Sequence, residues 1–348
     1  MPRPNAILAA QQFRSQLAAQ EAAAAQRMGR IYAQIYQSQV NELRALAEQL
    51  AGLDEIKPSQ IIKYQRTQAL LKQIEEQAAR FGVVVQGEIA NIQRDAIEMG
   101  VNGSLKLMEA SLPPLPPAQH RAIVGSFNRL HADAIEAMAG LLGPDSPLNE
   151  RLQDAYGQYV ASQVESHMLR GIAAGQNPRT IARLLNKNVL AGLGNGLTSA
   201  LTTVRTAQIK SYQIANHATY AANSDIVPRW VWHSALDGRT CMSCVNQHGK
   251  EFPVTETLND HHNGRCAAIP KTITYRDLGL DIDEPVEPIQ RGEDWFKAQP
   301  EATQRAMMGR GKWEAWNADK FKFEDLTTKY QDDVYGELLR EQTLKKLL

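Results

Sequence analysis

Trp230-Val-Trp-His-Ser-Ala-Leu-Asp-Gly-Arg-Thr-Cys-Met-Ser-Cys244 decides how this chain is read. Arg229–His233 is aromatic and β-branched, which predicts a strand. Asp237-Gly238 is a hairpin-turn signal. Cys241 and Cys244 are spaced so that two thiolates from one turn converge on a single ion. Downstream, Asp260-His261-His262-Asn-Gly-Arg-Cys266 offers a second donor pair, Cys266 with either His261 or His262. Three thiolates and one imidazole suit Zn²⁺. Four protein donors leave no open position, so such an ion is structural. His248 is a further histidine candidate, placed in the turn before Gly249. Lys250–Val254 and Lys271–Tyr275 are two more short strand candidates.

Three catalytic readings of these residues fail. A zinc deaminase needs His-x-Glu before its Cys-x-x-Cys, and none of the eight histidines has Glu at the second following position. A thioredoxin-like dithiol needs a helix N-terminus after a strand in a βαβ context, whereas the local pattern here is a hairpin. An HNH-type nuclease beginning at Asp260-His261 needs a later histidine, and none follows His262. The chain also lacks a phosphate-binding Gly-x-x-x-x-Gly-Lys loop, a dinucleotide fingerprint and a Gly-x-Ser-x-Gly elbow.

The rest of the chain has a different texture. All five tryptophans and all three cysteines fall from residue 230 onward, while the chain before that is rich in Ala, Gln, Leu and Ile. No proline interrupts Pro4 to Pro58, or Pro58 to Pro113, so two long helices fit. In the second, Ile74, Ala78, Phe81, Val85, Ile89, Ile92 and Ala96 step by three and four along one face. In the first, Met28, Ile31 and Ile35 begin a stripe, which Leu43, Leu46, Leu50 and Leu53 continue. Leu112-Pro-Pro-Leu-Pro-Pro117 reads as a stiff connector, with docking to a proline-binding domain as the sharper reading. Helical patterns resume over Gln119–Leu142. Ser146-Pro147 and Asn177-Pro178 each start a further helix. Gly192, Gly194 and Gly196 predict a flexible turn before a helix over Ser199–Ala222. An acidic linker at Asp281–Glu287 precedes helical signals from Glu293 to the end.

The fold class expected is therefore mainly α with a small α+β zinc-binding module, with short β-hairpins around the Cys/His cluster. The domains are 1–112 (long-helix interaction region), 113–224 (helical body), 225–280 (Cys/His module) and 281–348 (helical tail). The 348 residues balance 38 basic against 38 acidic side chains, for a net charge of +0. That balance argues against a freestanding nucleic-acid binder driven by basic excess. Lys320, Lys322 and Lys329 with Phe321 and Phe323 form a local candidate patch, although alternating Phe and Lys more often marks a half-buried element edge. Mean hydropathy is -0.39, and no segment reads as a membrane span. Met-Pro-Arg-Pro-Asn lacks a secretory core. Three clustered cysteines fit a reduced, cytosolic history.

The run Trp230–Cys244, then Gly249-Lys-Glu-Phe252, then His261-His-Asn-Gly-Arg-Cys266, resembles the phage Mu F-like head morphogenesis family. That family carries a Ser-Ala-Leu-Asp-x-Arg-Thr-Cys-x-x-Cys core, a Gly-Lys-x-Phe-like turn and a His-Pro-Asn-Cys-Arg-Cys end. Arg205-Thr206 is similar to its upstream Arg-Thr-Glu, and Gly171–Leu185 to its preceding helical stretch. Trp295, Gln299-Pro-Glu301, Gln304-Arg305, Gly309 and Trp313 are similar to its C-terminal element. The resemblance spans roughly Pro147 to Leu326. Gly264 stands where the family has a cysteine, Ala207 where it has Glu, and His262 where it has proline. Because His261 aligns with the family's histidine, the resemblance implies Cys241, Cys244, His261 and Cys266 as the Zn²⁺ ligands.

The resemblance implies a minor head protein of a tailed bacteriophage with a structural or assembly role and no enzymatic activity. It places the protein in the virion, inside the head near the portal, and in the host cytoplasm during assembly. The partners implied are the portal or major capsid protein, with packaged DNA and further copies of the chain as additional contacts. Two readings from other classes compete: a metal-dependent nuclease acting on DNA, and a cytoplasmic zinc-ribbon adaptor.

Overall fold

The computed structural model describes residues 4–51, 65–131, 135, 178–279, 281 and 289–348. Its long helices are α1 (Pro4–Ala51), α2 (Gln65–Ser111) and α4 (Pro178–Ala221), with a short α3 (Pro117–Gly125) after α2. Then come β1 (Arg229–His233), α5 (Met242–Gln247), β2 (Glu251–Pro253) and β3 (Ala267–Lys271). The C-terminal part holds α6 (Gly292–Lys297), α7 (Glu301–Met308), α8 (Arg310–Asn317), a 3₁₀ turn (Phe323–Leu326), β4 (Thr327–Asp332), β5 (Gly336–Glu341) and α9 (Leu344–Leu347). The chain is mainly helical with small antiparallel sheets.

Two compact units form. One comprises Met1–Ala19, Gln93–Gly140 and Thr206–Leu348; the other comprises Gln20–Ile92 and Leu141–Arg205. In the second unit the apolar spacing of α2 does what periodicity requires, and Phe81, Val85, Ile89 and Ile92 are buried. Ala24, Met28 and Tyr32 of α1 are buried too, and Tyr32 meets Phe81 edge-on with ring centroids 5.8 Å apart. Arg27 pairs with Glu88 at 2.8 Å, and Arg205 pairs with Glu21. The expected positions Leu43, Leu46, Leu50, Leu53, Ile74 and Ala78 lie outside the described side chains.

The first unit contains the Cys/His segment. Its sheet has the order β2-β1-β3, both pairings antiparallel. Trp230 stacks on Phe252 at 4.6 Å, and its Nε1 donates to the Glu256 carbonyl. Together with Trp232, Met108, Leu112 and Tyr220 these rings join α2, α4 and the sheet in one core. Gly100 allows close helix approach: a Cβ there would lie 2.6 Å from Ala215 Cβ and 2.8 Å from the Tyr212 carbonyl oxygen. The residues 4–19 of α1 belong to this unit. Ala6 and Ala10 pack with Leu107 and Ile269, and Arg14 donates to the His233 carbonyl at 2.7 Å.

Several expectations change. The third strand runs over Ala267–Lys271, not 271–275; Thr272 and Tyr275 instead donate to the carbonyls of Ser111 and Pro114. Those bonds fix the proline connector against the module. α3 stops at Gly125, and the helical stretch expected to run on to Leu142 is interrupted over 126–131; Ile135 is helical again, and the rest of that stretch lies outside the described residues. α4 runs unbroken through Gly192, Gly194 and Gly196. Each glycine costs a helix about 1 kcal/mol relative to alanine, which a cooperative helix of this length absorbs. The tail is not purely helical, because β4 and β5 form a hairpin paired from Thr327↔Glu341 to Asp332↔Gly336. The helix starts at Ser146-Pro147 and most of the acidic linker lie outside the described residues.

Candidate metal centre

Four short pieces of chain bring the donors together. Just after β1 comes Ser234, whose hydroxyl donates to the Cys244 carbonyl at 2.7 Å and lies 3.4 Å from Cys266 Sγ. The chain turns at Leu236 with φ 51°. Asp237 then organises the approach to the first cysteine: its carboxylate accepts from the Arg239 N–H and the Thr240 hydroxyl. Such an aspartate-centred turn replaces lost backbone pairing with local side-chain bonds. Arg265 grips the same carboxylate with two bonds of 2.8 Å, tying the turn before Cys241 to the residue before Cys266. That grip holds the Asp237 carboxyl well below the usual carboxylate range.

Cys241 sits in extended conformation at the N-terminal end of α5, and Cys244 lies nearly one turn further along it. Their donor atoms and that of His261 all lie within 4.8 Å of one another. His261 Nε2 is 3.1 Å from Cys241 Sγ and 3.3 Å from Cys244 Sγ. Zn–S and Zn–N bonds of about 2.3 and 2.0 Å at a tetrahedral angle imply about 3.5 Å between such donors, so a small outward shift accommodates the ion. His261 Nδ1 lies 2.7 Å from the His262 carbonyl oxygen. With Nδ1 donating there, loss of the Nε2 proton leaves the Nε2 lone pair aimed at the thiols, the usual orientation of a metal-binding imidazole. His262 points elsewhere, its Nε2 lying 2.9 Å from Asp332 Oδ2. Cys266, the fourth expected ligand, is not among the donors that lie within 4.8 Å of one another; it is buried, with Sγ 3.4 Å from the Ser234 hydroxyl. The chemistry and spacing of Cys241, Cys244 and His261 fit three positions of a tetrahedral ion. His248 is not part of the cluster; its Nδ1 accepts the Ser234 N–H.

The electrostatics suit ion binding. The Cys241 thiol is held down to about 3, first by the hydrogen bond from Cys244 and then by His261. His261 is pushed up to about 9, chiefly by its hydrogen bond to Cys241. Cys244 is raised because it donates to both neighbouring thiolates, while Cys266 is lowered by that same bond. Without an ion the cluster is thus a thiolate–imidazolium pair. An ion that takes Nε2 displaces its proton, so uptake releases protons.

The surroundings hold residues that the sequence reading did not single out. Thr206, Lys210 and Gln213 recur at i, i+4 and i+7 on α4, one helical face. Thr206 Oγ1 accepts from the Asn263 N–H, while Lys210 and Gln213 both reach Asp260. The signal available was polar residues at helical spacing just after Arg205. Lys320, Lys322 and Lys329 do not form one patch with their phenylalanines. Phe321 and Phe323 are buried against Phe296, Met242 and Val245, and Lys329 pairs with Glu337.

The cluster, its turn and its helix define a Cys/His module built onto a helical body. Residues 162–269 match the family described as Phage Mu protein F like protein. The chain is thus similar to that family over a stretch that ends in β3 and contains Cys241, Cys244, His261 and Cys266. No curated protein and no solved structure matches the chain. Among the described residues no helix is long and apolar enough to cross a membrane.

Proposed function

We propose that the protein is a minor head component of a tailed phage, held inside the head near the portal. In this reading a structural Zn²⁺ bound by Cys241, Cys244, His261 and Cys266 staples its module. The observation that carries the reading is the family match over residues 162–269, which encloses the cluster. When bound, the ion supplies cross-linking energy: structural zinc contributes on the order of 10 kcal/mol to modules of this size. The chain's own residues do the remaining work. Ser234 and Asp237 set the approach to α5, and His262 fixes the His261 tautomer.

The proposed role is non-catalytic. Four protein donors fill a tetrahedral ion and leave no position for water or substrate. Long helices with small faces suit packing on the portal, the major capsid protein or further copies of the chain. A balanced net charge suits a protein that lives beside packaged DNA yet is held by protein contacts. The location is the virion head, with the host cytoplasm as the site of assembly. Mass spectrometry of purified particles tests this, compared with particles made without the gene. Its presence in heads, with reduced head yield or infectivity when it is missing, supports the role. Absence from virions and from assembly intermediates, with normal infectivity, ends it.

A further inference from the structure

Beside the candidate metal residues lies an ion pair that contributes no donor to them. The Asp260 side chain is 0% exposed and that of Lys210 is 8% exposed, with Nζ 3.5 Å from Oδ1. Gln213 Nε2 donates to the same oxygen at 3.1 Å. The other oxygen, Oδ2, accepts the Cys266 N–H at 3.4 Å. Lys210 also donates to the Leu258 carbonyl at 3.4 Å. One residue beyond His262, the Asn263 N–H is held by Thr206. Helix α4 thus grips the loop 258–266 on both sides of His261, and Asp260 carries that grip to the Cys266 backbone.

The shape of the loop adds a second observation. A Cβ on Gly264 would fall 1.9 Å from Asp260 Oδ2. The carboxylate therefore fills the space that a side chain at 264 would take. Electrostatics alone does not account for an acid in this place. A carboxylate beside thiolates opposes their ionisation, and burying an ion pair gains little stability over an apolar pair. What Asp260 supplies is geometry, because one rigid acceptor bonds α4 and the Cys266 backbone at once.

Resting on the metal reading above, we infer that the Lys210–Asp260 pair, with Gln213, is a positioning device that presets the His261 and Cys266 half of the site from helix α4. Metal affinity and coordination geometry are then set partly by residues that never touch the ion. Outer partners of metal ligands typically change affinity by roughly 10–100-fold when removed.

The test uses the full chain, zinc competition with a chromophoric chelator, and the absorption spectrum of Co²⁺ bound in place of zinc. Wild-type protein is expected to show thiolate-to-cobalt charge transfer and intense tetrahedral bands. Asp260→Asn and Lys210→Met are expected to weaken zinc roughly 10–100-fold and to shift or weaken the tetrahedral bands. Lys210→Arg is expected to restore most of both. The double variant Asp260→Leu with Lys210→Met removes both charges, leaves no unpaired buried charge behind, and decides the matter if a single variant fails to fold. It too is expected to bind more weakly with an altered spectrum. A folded double variant with wild-type affinity and spectrum overturns the positioning role while leaving the metal site standing. A folded wild-type chain that binds neither cobalt nor zinc overturns both, and that failure is visible before any variant is made.

Discussion

His262 Nε2 lies 2.9 Å from Asp332 Oδ2, so adjacent histidines serve opposite partners: His261 faces the thiols and His262 ties their loop to the C-terminal hairpin. Substituting each in turn separates the two jobs. His261→Ala is expected to abolish tight zinc binding. His262→Ala is expected to keep zinc near wild-type affinity and lower stability by about 1 kcal/mol through the lost bond. Isothermal titration and urea melts read the two effects, and equal loss of zinc in both variants would contradict the assignment.

Removing the ion should unlock the module. With Cys241→Ser or Cys244→Ser, or after chelation, the expected outcome is earlier unfolding of residues 229–271, seen as faster amide exchange there. The second compact unit, including the Arg27–Glu88 pair, should exchange as before. Structural zinc binds the folded form, so its free energy is folding free energy. Unchanged exchange after complete metal removal would show that the sheet and the Trp230 core suffice alone.

Acid should weaken the first unit through two histidines, the buried His248 and the half-buried His233. His233 is held down to about 3, first by burial and then by Arg14 and His248. His248 is held down to about 4, first by burial and then by Arg14 and Arg291. Both stay neutral in the folded chain, while in the unfolded chain they protonate near 6.5. Their contribution is therefore intact above about pH 6.5 and is lost progressively as pH falls towards 4 and 3. At pH 5 the loss is about 2 kcal/mol for each. Metal-free protein with His233→Gln should show a shallower drop in urea midpoint between pH 7 and 5 than the parent. Identical slopes would refute the assignment.

Gly264 is predicted to resist any side chain. Gly264→Ala drives a methyl into the Asp260 carboxylate, and overpacking of this kind costs typically 1–3 kcal/mol. Thermal melts of the variant, alone and combined with Asp260→Ala, check this. Relief of the loss in the double variant is the expected signature.

Much of this arrangement was readable in the residues. Prolines at 4, 58 and 113 bracketed α1 and α2, and three-and-four spacing picked the face that buries Phe81, Val85, Ile89 and Ile92. Trp-Val-Trp gave β1, and ligand spacing gathered Cys241, Cys244 and His261. What escaped depended on contacts between distant segments. In β4, Thr327–Asp332 is polar throughout, so no alternation of apolar residues announced a strand. That hairpin is fixed instead by the Leu339 N–H bonding the Asn259 carbonyl and by Glu341 accepting the Met242 N–H. Asp260 escaped for the same reason: its partners Lys210 and Gln213 lie about 50 positions earlier, and local pattern does not link them.

The bond from Arg14 to the His233 carbonyl joins residues 219 positions apart. A ribosome adding roughly 5–20 residues per second needs about 10–40 s to cross that interval. During synthesis the face of α1 carrying Ala6, Ala10 and Arg14 is therefore exposed long before β1 and β3 exist to cover it. The nascent protein presents an alanine-rich amphipathic helix to whatever is nearby. Chaperones, or a neighbouring nascent copy, meet that helix before its own chain does.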